Sequence, residues 1–385
     1  PARVVAMPSI AYRLALAAAG EVDIGISMTN GLDTYDVAAG HALLIGVGGV
    51  LVQLDGKPVT YTGSMRYNGC IGGRAKLAAQ VVSRKPKDGK REKRSPARPA
   101  RRINDAGPLL RAQGAWLGQL AGDSLGSLVE FQSAAEIHRK YPHGVTELQN
   151  GGHWGTLAGQ PTDDSEMALA LARSIVAQGG FDAGAVGQAY VEWGASKPFD
   201  MGGTTRTGLD ALRGRGRANA ESQSNGALMR VSPIGIHAWG DHELAARLAA
   251  ADAALTHPNP VCVAASAAFA AAIAFGISNG ERMDMCNVAV YHAGQGAGAD
   301  AVRDSLYKAV HSVPHDFKHN EGWVLTALQN AFHHLLYTRS LQEAVIATVA
   351  SGGDTDTNAA ICGALMGALH GREEIPLSWR RQILS

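Results

Sequence analysis

The chain has 385 residues, 46% of them apolar, with 35 Lys and Arg against 34 Asp and Glu. It is long enough for two or three domains with a sizeable core, and its near-neutral balance excludes a general electrostatic pull toward nucleic acid or an anionic membrane. Cys70, Cys262, Cys286 and Cys362 are scattered, with no CxxC pair and no His at zinc spacing, and no charged-apolar-small leader opens the chain, so a cytoplasmic, soluble protein with buried thiols is expected.

Residues 1–83 mix strand-like pieces (Val22 to Ser27, Val50 to Leu54) with an Ala-rich helix around Ala11 to Ala19. At Asp33 to Gly40, DTYDVAAG, an acid precedes a small-residue helix that Gly48 and Gly49 end. DVAAG with Asp36, GGVLVQLDGKPV over Gly48 to Val59, and a closing strand near Cys70 to Gly72 resemble the C-terminal half of the inositol monophosphatase family. The resemblance implies that Asp36 matches one metal ligand of a set completed by an N-terminal half, whose DxxDGT-type motif does not occur here. A lone Asp36 holds no such cluster. The segment is therefore expected to be a fusion remnant or a piece of a longer product, without phosphatase activity of its own.

From Arg84 to Arg102 the chain carries ten basic residues and two acidic ones, which leaves 25 basic against 32 acidic elsewhere. No aromatic residues interleave with this run to stack on bases, so residues 84–104 read as a solvated basic linker rather than a nucleic-acid arm. A further domain is expected over 105–385. Its segments are helical, with strand signals almost missing, which points to an all-α domain.

Pro108 to Phe131 carries a helical stripe of Leu109, Ala112, Trp116 and Leu120, while Gly114, Gly118 and Gly122 allow another helix to approach closely. Asp123 and Glu130 lie seven apart, on one face if the helix continues; taken alone, Glu130 reads as an exposed surface acid. Thr162, Asp163 and Asp164 open a second helix, with Met167, Leu171 and Ile175 as its buried face and Gly179-Gly180 as its stop. Asp200 to Thr207, DMGGTTRT, reads first as a plain turn, and second as a loop offering amides to phosphate. Asn225-Gly226 has no flanking strands that would make it a hairpin turn. His257, between one helix and the next, reads as a capping or solvent-facing residue before a ligand. The run Val261 to Ile277 is mostly alanine and is expected to fall short of a membrane span. Helices are further expected over His242 to Ala253, Ala299 to Val310, Trp323 to Tyr337 and Leu341 to Ala350.

The last stretch, Ser351 to Gly371, reads SGGDTDTNAAICGALMGALHG. Gly352 and Gly353 free the backbone for a sharp turn, and Asp354, Asp356 and Thr357 stand at the mouth of an apolar helix. This is either a helix cap with a spare acid or a loop presenting hard oxygen ligands. Four carboxylates at two such helix starts, if they converge, repel unless cations lie between them.

GDSLGSLVEF, TDDSEMALAL, DMGGTTRTGL, SNGALMR, LTH and GGDTDTNAAICGALMGALHG occur in the order found in the ADP-ribosylglycohydrolase family, over about residues 108–372. The resemblance implies a compact all-α fold, here preceded by a partial α/β segment, and a site holding two divalent cations, Mg2+ or Mn2+. Carried over by motif, Thr162, Asp163, Asp164, Asp354, Asp356 and Thr357 are the implied metal ligands. Glu130, Asp164 and Asp356 are the implied catalytic acids, with the proton-accepting base either Glu130 or Asp356. Gly202, Gly203, Ser222, Asn225 and His257 fall where the family holds phosphates and the distal ribose. Gln223-Ser224 departs from the Gly or aromatic residue that members of well-studied activity carry just before Asn225, and this bears on acceptor or nucleotide preference. The expected activity is cleavage of the glycosidic bond between ADP-ribose and a modified protein side chain, arginine first. The alternatives are a hydrolase of small ADP-ribosyl or nucleoside compounds and a non-catalytic ADP-ribose binder. The expected partner is an ADP-ribosylated protein or small molecule, with neither nucleic acid nor membrane.

Overall fold

A computed structural model describes residues 10–20, 22–61, 66–83, 106–294 and 298–383. The chain divides into two compact units, Pro1–Ser95 and Pro96–Ser385. The basic run assigned to the 84–104 linker lies outside the described residues.

In the first unit, α1 (Ile10–Ala19), β1 (Ile24–Asp33), α2 (Thr34–Gly46), β2 (Val50–Gln53), β3 (Arg66–Gly73) and α3 (Ala75–Ser83) follow one another. Both β1 and β2 pair antiparallel with β3, giving the sheet order β1-β3-β2. Leu14, Val37, Leu44, Leu51, Tyr67 and Cys70 form its core. Asp36 lies in the first turn of α2. Among the described residues it belongs to no cluster of three or more metal-donor side chains.

The second unit is helical throughout. It runs α4 (Ala106–Gly126), α5 (Ala134–Lys140), α6 (Asp163–Gln178), α7 (Ala183–Ala195), α8 (Gly203–Leu212), α9 (Ser232–His237), α10 (His242–Thr256), α11 (Pro260–Asn279) and α12 (Arg282–His292). There follow α13 (Ala299–Ala309), α14 (Val324–Tyr337), α15 (Leu341–Ala350), α16 (Thr355–His370) and α17 (Leu377–Ile383). Among the described residues, extended pairing here is limited to isolated bridges.

Two helices build the middle of this unit. α4 and α16 cross with their backbones almost touching. A Cβ placed on Gly114, Gly118, Gly122 or Gly126 would strike the carbonyl oxygens of Gly367, Gly363, Ala359 and Thr355 in turn. The glycines recur every four residues and so form one stripe along α4. The seam brings the C-terminal end of α4 and the N-terminal end of α16 to the same point. α11 backs this pair; it has 20 residues of mean hydropathy 2.1, and 78% of its most apolar window is buried. The expectation that this run falls short of a membrane span is corrected: length and hydropathy suffice, and burial against α10, α12 and α16 marks it as a core helix.

Candidate metal centre

The end of α4 and the starts of α6 and α16 meet at one place. Thr355 Oγ1 donates to the Gly126 carbonyl at 2.7 Å, which fastens the first turn of α16 to the last turn of α4. α4 stops at Gly126, so Glu130 is not on the helical face expected for it. It sits in the turn that follows, and the turn is bolted to the Gly352-Gly353 loop. Phe131 N donates to the Gly353 carbonyl and Gly353 N to the Gln132 carbonyl, each at 2.9 Å. Gly352 and Gly353 have φ of 78° and 75°, the left-handed region that glycine enters without steric cost. Any Cβ there would also meet the backbone of Gln132 or Phe317. Phe131 itself has φ of 64°, rare for a bulky residue and a mark of local constraint.

α6 is capped by a neighbour. The Thr162 side chain makes no cap bond to its own helix. Instead Asp123 on α4 accepts from Thr162 N at 2.9 Å through Oδ1 and from Ser165 N at 3.1 Å through Oδ2. Thr162 Oγ1 is thereby released to the site, 3.0 Å from Asp123 Oδ1 and 3.1 Å from Asp164 Oδ2. From α16, Thr357 Oγ1 reaches the same Asp164 oxygen at 3.3 Å, and Thr357 N donates to Asp356 Oδ1 at 2.9 Å. Asp164 and Thr357 are 193 residues apart in sequence.

A cavity of about 210 Å³ opens above this floor. Glu130, Asp163, Asp200, Gly202, Gly203, Asn225, Glu321, Asp354, Asp356 and Thr357 are among its lining residues, and none of the lining residues is Lys or Arg. Asp123, Asp164 and Asp356 bring donor oxygens within 4.8 Å of one another, as do Glu130, Asp354 and Asp356. With acids so close and so buried, the protonated forms gain. Burial, then the Asp200 and Asp354 charges, pushes Glu130 up to about 8. Burial raises Asp123 to about 6, and burial with the Asp354 charge raises Asp200 to about 6. Asp163, Asp164 and Asp356 are held well above the usual carboxylate range, by burial first and then by a neighbouring acid, Asp200 for Asp163, Asp123 for Asp164 and Glu130 for Asp356.

Cations fit this donor set. Asp164 Oδ1 is buried without a hydrogen-bond partner, a costly state for a carboxylate oxygen that a coordinated ion would relieve. Carboxylates and threonine hydroxyls are hard oxygen donors, suited to Mg2+, Mn2+ or Ca2+ before zinc or copper.

Of the residues singled out in the sequence, Glu130, Asp163, Asp354, Asp356, Thr357, Gly202, Gly203 and Asn225 line the one cavity, with Thr162 and Asp164 just beneath. Asn225 Nδ2 donates to Asp354 Oδ2 at 2.7 Å, so this side chain positions an acid. Ser222 and His257 are not among the residues that line the cavity. Ser222 Oγ lies 2.7 Å from Thr204 Oγ1, one layer back. His257 stands at the C-cap of α10, as the junction suggested, and is fully buried beside Gly226 and Thr205 and so not solvent-facing. Burial and the Arg230 charge lower it to about 3. Arg230, sealed with Asp252 at 3.0 Å and stacked on Tyr190, also bonds the Gly226 carbonyl, so this buried pair supports the cavity wall.

Three residues of the site were not expected there from the sequence. Asp200 lines the cavity with Asp163, and its charge raises Asp163; it stood in DMGGTTRT, an acid just ahead of a helix like the other two clusters. Asp123 acts through the backbone of α6. Trp154 Nε1 holds Glu130 Oε2 at 2.7 Å from an irregular segment with no local signal.

A family model described as ADP-ribosylglycohydrolase matches residues 104–385, and one described as the inositol monophosphatase family matches residues 2–85. The ADP-ribosyl-dinitrogen reductase glycohydrolase of Rhodospirillum rubrum is 33% identical over 280 residues, covering 70% of this chain and 88% of that protein. An ADP-ribosylarginine hydrolase of Pseudomonas putida is 26% identical over 294 residues, covering 71% and 74%. A solved structure of an ADP-ribosylglycohydrolase-related protein complex superposes with a TM-score of 0.63 at 26% identity, over 72% of this chain and 94% of that one.

Proposed function

The chain belongs to the ADP-ribosylglycohydrolase family and is a glycosidic hydrolase, and from that premise we propose that it releases ADP-ribose from a modified protein side chain, arginine first, at two Mg2+ or Mn2+ ions. The observation that carries the reading is the meeting of the α6 and α16 starts around an unpartnered Asp164 oxygen. The names of the Rhodospirillum and Pseudomonas relatives support the substrate class. Four free, buried cysteines support a reducing, cytoplasmic setting.

Thr162, Asp163, Asp164, Asp354, Asp356 and Thr357 would hold the ions. When bound, two hard cations supply a seat for the cis-diol of a ribose and acidify a water beside it. Asp123 and Asn225 keep the acids in place through the amides of α6 and the Asp354 carboxylate. Trp154 holds Glu130 Oε2, and Glu130 lines the cavity, where its carboxylate would take a proton from the attacking water. As the bond from the anomeric carbon to nitrogen breaks through an oxocarbenium-like state, water oxygen bonds to that carbon and the proton ends on the departing nitrogen. Asp356 is assigned to the ions, and Glu130 is not, so Glu130 is the favoured base.

Release of ADP-ribose from ADP-ribosyl-arginine, followed with Mn2+, Mg2+ or EDTA, tests the assignment. Turnover is expected with either ion and none with the chelator. Turnover confined to small ADP-ribosyl compounds would replace the protein substrate, and tight ADP-ribose binding without turnover would remove the enzyme reading. Glu130→Gln is expected to lower kcat about 10²–10³-fold while Mn2+ affinity holds; a matching loss of Mn2+ would make Glu130 a ligand instead of the base.

A further inference from the structure

Away from the acid cavity, metal-donor side chains meet at one other place among the described residues. His242 opens α10 and His292 ends α12, and His242 Nδ1 lies 2.7 Å from His292 Nε2. Glu243, next along α10, brings Oε2 within 4.0 Å of His292 Nδ1. One donor atom from each of the three lies within 4.8 Å of the other two. The His292 side chain is 7% exposed and that of Glu243 56%, so the group is anchored at the back and open to water in front. Phe275 on α11 and Tyr291 on α12 pack against the two imidazoles and fix their planes. Burial holds His292 toward its neutral form, the one that ligates.

We propose that His242, His292 and Glu243 form a second divalent-cation site, selective for a borderline ion such as Zn2+ and separate from the all-oxygen cavity. Two imidazole nitrogens and one carboxylate are a donor set that prefers zinc over magnesium or calcium. Without an ion, one neutral ring donates N–H to the other, which accounts for the 2.7 Å approach. Zinc–nitrogen bonds of about 2.0–2.1 Å in a tetrahedral site need the two nitrogens roughly 3.3 Å apart. Both rings stand at helix ends, where a small χ change gives that extra half-ångström. The exposed Glu243 swings in as third donor and water completes the shell. The ion would tie the start of α10 to the end of α12 across α11.

The test uses the untagged full chain with its acid cavity saturated by Mg2+, titrated with Zn2+ by calorimetry and by thermal unfolding. One additional Zn2+ per chain is expected, with Tm rising by roughly a few degrees at saturation. Both signals are expected to vanish in the His242→Ala/His292→Ala double variant, whose Mg2+-dependent ADP-ribose release stays unchanged. Co2+ in place of Zn2+ is expected to give a visible tetrahedral spectrum in the unaltered chain, a readout that does not depend on the double variant folding. Glu243→Gln changes only an exposed side chain and is expected to weaken Zn2+ at least about tenfold. Zn2+ binding of equal stoichiometry and affinity in the double variant overturns the site, as does the lack of any Co2+ spectrum. An unchanged affinity in Glu243→Gln overturns the third donor.

Discussion

Helices α10 and α15 begin with Asp241 and Ser340, whose side chains accept hydrogen bonds from the Leu244 and Glu343 amides. Helices α6 and α16 begin with Thr162 and Asp354, residues equally able to cap, yet neither makes a side-chain cap bond. Their oxygens turn outward, Thr162 toward Asp123 and Asp164, and Asp354 toward Asn225. The same residue types thus do two jobs. At α10 and α15 they satisfy the helix, worth about 1 kcal/mol. At α6 the cap bonds come from Asp123 instead, at α16 the side-chain cap is given up, and at both acids are crowded together, so these two starts cost stability until something positive binds between them.

The sharpest break in this comparison is at Asp356. Replacing it with Ala is expected to lower ADP-ribose release by at least about 10³-fold, since interactions of several kcal/mol are lost, and to abolish tight Mn2+ binding by calorimetry. Full activity in Asp356→Ala would remove α16 from the site and leave its odd start unexplained.

Acidity distinguishes the two kinds of start next. Asp123, Asp200 and Glu130 bind protons more tightly in the folded chain than in the unfolded one, where carboxyls titrate near 4. Between those values the folded state holds more protons, so stability is present in full below the unfolded values and is lost as pH rises through about 6 for Asp123 and Asp200 and about 8 for Glu130. In EDTA, Tm is therefore expected to fall steadily from pH 5 to pH 8. With saturating Mn2+ the fall is expected to disappear, because the ion now stabilises the ionised forms. A flat EDTA profile would mean that the acids do not repel.

Asp163→Asn isolates one member of the crowd. Asp163 is buried and lines the same cavity as Asp200, whose charge raises it next after burial. An amide of the same shape fills the same space without the charge, and its NH2 group is able to donate to a neighbouring carboxylate. The metal-free variant is expected to gain about 1–2 kcal/mol at pH 8 by chemical denaturation, while hydrolysis is lost. Lower stability would show that Asp163 serves the fold before the site.

How much of this was legible depended on how local the signal was. TDDSEM and GGDTDTN announced themselves because cap residues, acids and the apolar period that follows all lie within one or two turns. The Gly114, Gly118 and Gly122 stripe likewise pointed to a close helix, though not to α16. What escaped reading is what acts across the fold. Asp123 caps a helix 39 residues away, Trp154 fixes Glu130 from a loop, and His242 meets His292 over 50 residues. His257 was legible only in part. Its place at a helix junction was visible, but burial behind Gly226 depends on Arg230, Asp252 and Tyr190 assembling from three helices' surroundings.

The smallest effect is the control on the ordinary side of the comparison. Ser340 Oγ accepts from the Glu343 amide at 3.2 Å at the start of α15, the helix that leads directly into the Gly352-Gly353 turn. Ser340→Ala is expected to cost about 1 kcal/mol of stability, the usual value of a lost cap, measured by denaturant titration. Activity and Mn2+ affinity are expected to stay within about twofold, because α15 ends ten residues after the lost bond and the acids are held by α4 and α16. A Ser340→Ala variant with unchanged stability but impaired Mn2+ binding would reverse the division drawn here: the α15 start would then be tuned for the site, and a helix cap could not be told from a ligand by where its oxygen points.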